Sequence, residues 1–278
     1  MSDTDLVPLR DPDQQDAATD QPGPAPTSDD VADSDLVIAT GLDYGTGIRR
    51  VFAGLDFRLT AGTLGVLHGT DGSGKSTLLL ALIGRAGGVG GSLRVAGHDA
   101  LHGSKKLRSI TTAARIGSIV DAEPKHSVAD AIADRAAVDG IRTGRARSTF
   151  DELADVLELR VSPDQLVEEL DSYQRSTLEL ALAALRPSTL MVLDDLDRGL
   201  GVADQDRLYR AIIRLMAHTG STVVASTVEP DTIPYDAVTI DLPPPGPNRR
   251  RHTTDAQTTA PKRTATPSGP SQPADSPQ

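Results

Sequence analysis

The sequence predicts an α/β fold built on a largely parallel sheet and interrupted by a helical insertion. Two observations carry that expectation. Short apolar runs rich in β-branched residues alternate with amphipathic helical patterns, and the first of these runs ends in a glycine-rich loop that opens a helix. Gly62 to His68 (GTLGVLH) is the run before the loop, and Lys75 to Ile83 (KSTLLLALI) reads as the start of a buried helix. Ile116 to Val120, Thr189 to Asp194, Ser221 to Ser226 and Val238 to Leu242 read as further strands, with turn residues near their ends. Helical periods fill Gln174 to Leu185 and Ala203 to His218. Between residues 125 and 170 the rhythm breaks: two amphipathic patterns, Val128 to Val138 and Thr149 to Leu159, follow one another with no strand between them. That stretch marks the insertion.

Charge and proline place the boundaries. The 278 residues carry 28 Lys and Arg against 39 Asp and Glu, a formal charge of −11. Residues 1–35 hold ten Asp, one Arg and five prolines with few large apolar groups to bury, so this tail is expected to stay disordered. Residues 243–278 hold nine of the 19 prolines and are expected to do the same. The tails carry net charges of −9 and +3, which leaves −5 for the folded core at 36–242. The acidity therefore belongs to one tail, and nucleic acid is not an expected partner. Arg249 to Arg251 fall short of the about 4 to 8 basic residues of a lipid-binding cluster and read as a solvated segment. The chain has no cysteine, which excludes disulfides, thiolate metal sites and a cysteine nucleophile. An acidic start and the lack of an apolar run near ~18 residues lead us to expect a soluble, cytosolic chain.

Gly69 to Ser76 reads G-T-D-G-S-G-K-S, which matches the phosphate-loop pattern G-x-x-x-x-G-K-[ST] at every fixed position. Its glycines let successive N–H groups of Gly69, Thr70, Asp71, Gly72, Ser73 and Gly74 turn inward toward a phosphate chain, helped by the helix start at Lys75, Ser76 and Thr77. Lys75 would reach the β- and γ-phosphates, and the Ser76 hydroxyl would hold Mg²⁺. The run Leu190 to Leu193 ends in Asp194, placed to take part in the Mg²⁺ site. Asp195 follows, placed to orient or deprotonate an attacking water. His68 abuts the loop, where a strand-end histidine reads as structural.

Over residues 36–242 the order of these motifs resembles the nucleotide-binding subunit of an ATP-binding cassette (ABC) transporter. The resemblance implies a P-loop NTPase fold of the ABC type, with an antiparallel β subdomain and a helical insertion at about 125–172. It places Tyr44 on the adenine, Val51 to Leu59 as a strand, and Gly91 to Gly97 as a strand hairpin. Leu170-Asp171-Ser172-Tyr173-Gln174-Arg175 falls where the family has L-S-G-G-Q-R, the segment that faces the γ-phosphate held by the opposite subunit. There a carboxylate at Asp171 would oppose phosphate by on the order of 4 kcal/mol at ~4 Å, and Tyr173 would add bulk. The family's Mg²⁺-sensing glutamine falls at Asp121, its catalytic glutamate at Asp195, its histidine at Val228 and its inter-subunit aspartate at Gly201 or, in a shifted register, in Leu196-Asp197.

The resemblance thus implies MgATP as ligand, an integral-membrane permease and a second ATP-binding subunit as partners, and a position on the cytoplasmic face of the membrane. With the altered positions, slow hydrolysis is expected. A nucleotide-dependent switch or assembly partner that binds ATP without hydrolysing it is the alternative. A chromosome- or repair-type relative is disfavoured, because the segment between Asp121 and Leu170 is too short for a long coiled coil.

Overall fold

The computed structural model describes residues 35–46, 50–117 and 119–244. Apart from Asp35, Pro243 and Pro244, both expected tails lie outside the described residues. Strands β1 (Asp35–Tyr44), β2 (Phe52–Thr60), β4 (Val89–Val95) and β5 (His98–Asp99) form an antiparallel sheet in the order β2-β1-β4-β5. Strands β3 (Leu64–His68), β6 (Thr111–Arg115), β7 (Leu190–Leu193), β8 (Thr222–Thr227) and β9 (Val238–Asp241) form a parallel sheet in the order β6-β7-β8-β3-β9. The helices are α1 (Lys75–Leu82), α2 (Lys105–Ile110), α3 (Val128–Asp139), α4 (Thr143–Leu157), α5 (Ser172–Ala184) and α6 (Val202–Thr219).

Side chains of the parallel strands alternate between two cores. Leu67, Leu190, Val192 and Val224 pack with α1 and the antiparallel sheet, whereas Val66, Met191, Leu193 and Val223 pack with the helical side. A sheet covered on both faces reads as continuous apolar runs, which is why these strands stand out in the sequence. Beyond its polar first turn helix α1 is apolar for the same reason: it packs with both sheets, with Leu78, Leu79, Ala81 and Leu82 all buried.

Two expectations are corrected. The strand expected at Ile116 to Val120 lies instead at Thr111–Arg115, and Ile116 and Val120 form only an isolated antiparallel bridge across a turn. This strand is polar in composition yet buried, so its hydroxyls and carbonyls need internal partners. Thr111 Oγ1 donates to Leu107 O (3.0 Å), and Thr112 Oγ1 accepts from Arg135 Nη2 (2.6 Å). Helix α4 begins at Thr143 rather than Thr149: Ala146, Phe150, Leu153 and Leu157 make one buried stripe that its arginine-rich first turns obscure. It closes at Glu158, which adopts a left-handed φ of 54°, so Leu159 lies beyond it.

The free edge of β6 is covered by arginines. Arg186 Nη2 donates to Thr111 O (2.8 Å), and Arg135 Nη1 to Ala113 O (3.4 Å). The half-buried Asp139 carboxylate joins the two guanidinium groups, at 2.6 Å from Arg135 Nε and 3.3 Å from Arg186 Nε. This contact fastens α3 to the sheet edge. Asp139→Ala should lower unfolding free energy by about 1–3 kcal/mol in urea titrations, because it leaves two arginines without their shared acceptor.

Candidate functional site

Parallel strands β7, β8 and β3 lie side by side, so their carboxyl ends open on one edge of the sheet, the usual place for a ligand in such folds. Gly69 starts the loop after β3, and Asp194 follows β7. Ser226 of β8 is level with Leu67 and lies one residue past the Leu193–Ala225 pair.

In the loop, Lys75 is buried and its Nζ donates to Gly69 O (2.8 Å) and Thr70 O (3.3 Å). Two glycines are required here. A Cβ on Gly69 would lie 2.6 Å from Ser73 Oγ, and Gly74, at φ +96°, would press a Cβ to 2.8 Å from both Phe52 and Val51. Gly74 caps α1 without a side-chain acceptor, and the first turn holds no acid. No side chain of the cap or the first turn therefore compensates the positive end of the helix. Thr70, Asp71, Gly72 and Ser76 are exposed, Thr77 is half-buried, and the buried Ser73 hydroxyl has no partner among the described residues.

Asp194 is fully buried. Its Oδ1 accepts from Ser226 Oγ (2.6 Å), while its Oδ2 has no partner among the described residues. The same Ser226 hydroxyl accepts the Asp195 N–H (2.9 Å). Asp195 takes a left-handed φ of 47°, a conformation that costs a β-carbon residue on the order of 1 kcal/mol or more. Its carboxyl is raised by burial and by the neighbouring Asp194, against the pull of Lys75. The structure thus brings Lys75, Asp194 and Asp195 into one electrostatic neighbourhood.

Sequence reasoning missed Arg115, the last residue of β6. Its buried guanidinium donates from Nε to Asp194 O (3.1 Å), from Nη2 to Asp195 O (2.6 Å), and from Nη1 to Glu179 Oε2 (2.7 Å) and Ser176 Oγ (3.2 Å). Arg175 continues the chain of alternating charge, with Nε 3.5 Å from Glu179 Oε1 and Nη2 3.0 Å from Asp121 Oδ1. Burial pushes the Glu179 carboxyl up to about 7, with Asp121 adding to the rise and Arg115 and Arg175 opposing it.

The structure places the other residues that the sequence singled out among partners of their own chain. Asp121 pairs with Arg175 and, at 3.7 Å, with Arg198; its partners are these arginines rather than the loop at Gly69 to Thr77. Burial raises its carboxyl, but Arg175 and then Glu179 and Arg198 bring it below the usual range. Asp171 is the N-cap of α5: its Oδ1 accepts the Gln174 N–H (2.7 Å), and Gln174 Oε1 accepts the Asp171 N–H (3.2 Å). Tyr173 adds no bulk at the surface, since it is buried with Arg207 stacked 4.0 Å above its ring. Tyr44 stacks on Phe52, with ring centroids 5.9 Å apart, and Phe52 in turn packs on Gly74. Tyr44 is thus one ring removed from the loop. His68 Nδ1 lies 2.8 Å from Asp241 Oδ1 across the β3–β9 pair. Val228 is exposed at the end of β8 and its N–H donates to Asp197 Oδ2 (2.7 Å), while Gly201 caps α6.

Comparison with known proteins agrees with this arrangement. Residues 52–197, more than half of the chain, match the family model described as ABC transporter. The chain belongs to the ABC transporter family, in which its relatives are the ATP-binding subunits. It is 26% identical over 186 residues to the lipoprotein-releasing system ATP-binding protein LolD of Hyphomonas neptunium, covering 65% of this chain and 81% of that one. It is 34% identical over 182 residues to a putative ABC transporter ATP-binding protein of Streptomyces avermitilis, spanning 65% of this chain but 30% of the relative. Among solved structures, cbiO1 from Clostridium perfringens, part of the ABC transporter complex cbiONQ, shares the fold with a TM-score of 0.62 at 17% identity, covering 73% of this chain and 82% of that chain.

The raised Glu179 carboxyl gives a pH signature. The folded protein keeps a proton that the unfolded chain releases above its ordinary 4.5, so this group's contribution to stability is full below that value and lost as pH rises through about 7. Relative to Glu179→Gln, the wild-type chain should lose stability across that window and run parallel to the variant above it, as read from urea midpoints.

Proposed function

We propose that the chain binds MgATP at Gly69 to Thr77 and serves as the ATP-binding subunit of a transporter, acting on a separate integral-membrane permease at the cytoplasmic face of the membrane. The observation that carries this reading is the buried, unpartnered Oδ2 of Asp194, set at the same strand ends as a phosphate loop whose helix start holds no acid. A buried carboxylate oxygen without a donor is costly until a cation takes it. The donor set fits: Ser76 and Asp194 would hold Mg²⁺ through oxygen. Bound there, Mg²⁺ would neutralise charge on the β- and γ-phosphates.

The chain's own groups supply the rest. Backbone N–H groups of the loop and the first turn of α1 would bind the phosphate chain. Lys75 Nζ would exchange its two loop carbonyls for phosphate oxygens, and Tyr44, backed by the buried Phe52, would offer ring surface to the adenine. Asp195 would orient the attacking water and accept its proton on the carboxylate. The Asp195 side chain is one methylene shorter than the glutamate of the family it resembles, and a misplacement of about 1 Å costs on the order of a hundredfold in rate. Val228 brings no side-chain donor, and its N–H is already engaged by Asp197. Turnover is therefore slow. The same engaged N–H favours the second reading, a switch or assembly partner that binds ATP without hydrolysing it.

A groove of about 390 Å³ between the turn after β6 and α3 is lined by Ile119, Val120, Asp121, Val138 and Glu179. Ile119 and Val138 are 69% and 83% exposed, and this groove is the surface we assign to the permease. A second ATP-binding subunit, identical or different, would complete the assembly.

Calorimetry of the full chain tests the binding step: Lys75→Ala should weaken MgATP affinity about tenfold or more, the worth of a lost charge-assisted contact. Unchanged affinity would overturn the reading. Steady-state hydrolysis that disappears in Asp195→Asn while binding persists would support the transport ATPase. Binding with no turnover in the wild-type chain would select the switch.

A further inference from the structure

Two buried charged side chains take no part in the nucleotide site proposed above: Arg115, 3% exposed, and Glu179, 2% exposed. The guanidinium of Arg115 bonds two successive carbonyls. The Asp194 carbonyl belongs to the peptide before the Asp195 Cα, and the Asp195 carbonyl to the peptide after it. Fixing both peptide planes fixes the two soft dihedrals of Asp195, the residue held at a left-handed φ of 47°. Ser226 adds a third tie through the Asp195 N–H and a fourth through Asp194 Oδ1. Glu179 aims the guanidinium from the far side, in a pair of 2.7 Å between side chains that are almost wholly buried.

We propose that Arg115 is a positioning residue for the carboxylates of Asp194 and Asp195, acting through their backbone, and that Glu179 positions Arg115. The proposal rests on the reading that these carboxylates serve MgATP. Arginine suits the task where lysine would not, because a planar fork reaches two carbonyls and a carboxylate at once, whereas an ammonium is a point charge on a flexible stem. The expected consequence is selective: Arg115 touches neither the phosphate loop nor Tyr44, so its loss acts on the metal-dependent part of nucleotide binding and leaves the rest.

The test is ATP affinity by calorimetry on the full chain at pH 8, with Mg²⁺ and again with a chelator in its place. Arg115→Met should lower the gain in affinity given by Mg²⁺ about tenfold while metal-free affinity stays within about twofold, as expected for a group that orients a metal ligand from behind. Arg115→Lys should recover part of the gain. Should Arg115→Met not fold, because it strands the Glu179 charge, the double variant Arg115→Met with Glu179→Leu removes both charges and carries the same expectation. A Mg²⁺ gain equal to wild type in any folded variant lacking the arginine overturns the proposal. Lys75-dependent ATP binding with that unchanged gain overturns this proposal alone, whereas no ATP binding by the wild-type chain overturns the nucleotide reading and this one together.

Discussion

A guanidinium buried at the end of a strand must be surrounded by acceptors, and satisfying Arg115 dictates much of what lies around it. Its donors are met by two carbonyls at the end of β7, a hydroxyl and a carboxylate on α5. Those four bonds tie the edge strand, its neighbour and the helix behind them into one unit. Removing one partner of such a buried pair costs about 3–5 kcal/mol, while replacing both with apolar groups can be neutral, so the pair is poor evidence for stability alone. What it supplies is geometry, because apolar packing could not grip two consecutive peptide carbonyls. Beyond Glu179, charge alternates outward through Arg175 and Asp121 to Arg198, with exposure rising at the far end, where water shares the cost of the last charges.

The parts of the fold that were legible in the sequence are those whose chemistry is local. Leu64 to His68 and Leu190 to Leu193 read as strands because both faces of the sheet are covered. The loop at Gly69 to Ser76 read as a phosphate site because its glycines and lysine are fixed by neighbours only a few residues away. Strand β6 was not legible, for the opposite reason. Thr111, Thr112 and Arg115 are tolerated in a buried strand only because Arg135, Ser176, Glu179 and Arg186 supply partners from distant parts of the chain. No local pattern records that. The residue that holds the β7 end, Arg115, was missed for the same reason.

Asp171 and Tyr173 show how substitutions at one helix start can be structural on one side and electrostatic on the other. As an N-cap, Asp171 satisfies an orphan N–H of α5 and, with Gln174, closes a reciprocal pair of bonds. Tyr173 turns inward, under Arg207, and contributes to the core of the helical insertion. Both residues therefore fit their own chain. The interaction of Arg207 with the ring face explains how a cation lies against an otherwise apolar contact at little cost.

The two helix starts nonetheless differ in sign, and the difference bears on assembly. Helix α1 opens with an uncapped glycine and no acid, so its positive end is left for a phosphate. Helix α5 opens with a carboxylate that already offsets its dipole. A phosphate presented to α5 by a second subunit would meet a partly cancelled field and an exposed negative charge in place of an uncapped helix end. In a symmetric pair that arrangement occurs twice, once at each nucleotide. In a pair with a subunit whose own helix start lacks the acid it occurs once, and the phosphate loop of this chain faces the more favourable end. Were a second subunit to present its nucleotide to α5, the electrostatics of this capped helix would favour an unlike partner over a like one, without any change to the loop proposed to bind the nucleotide.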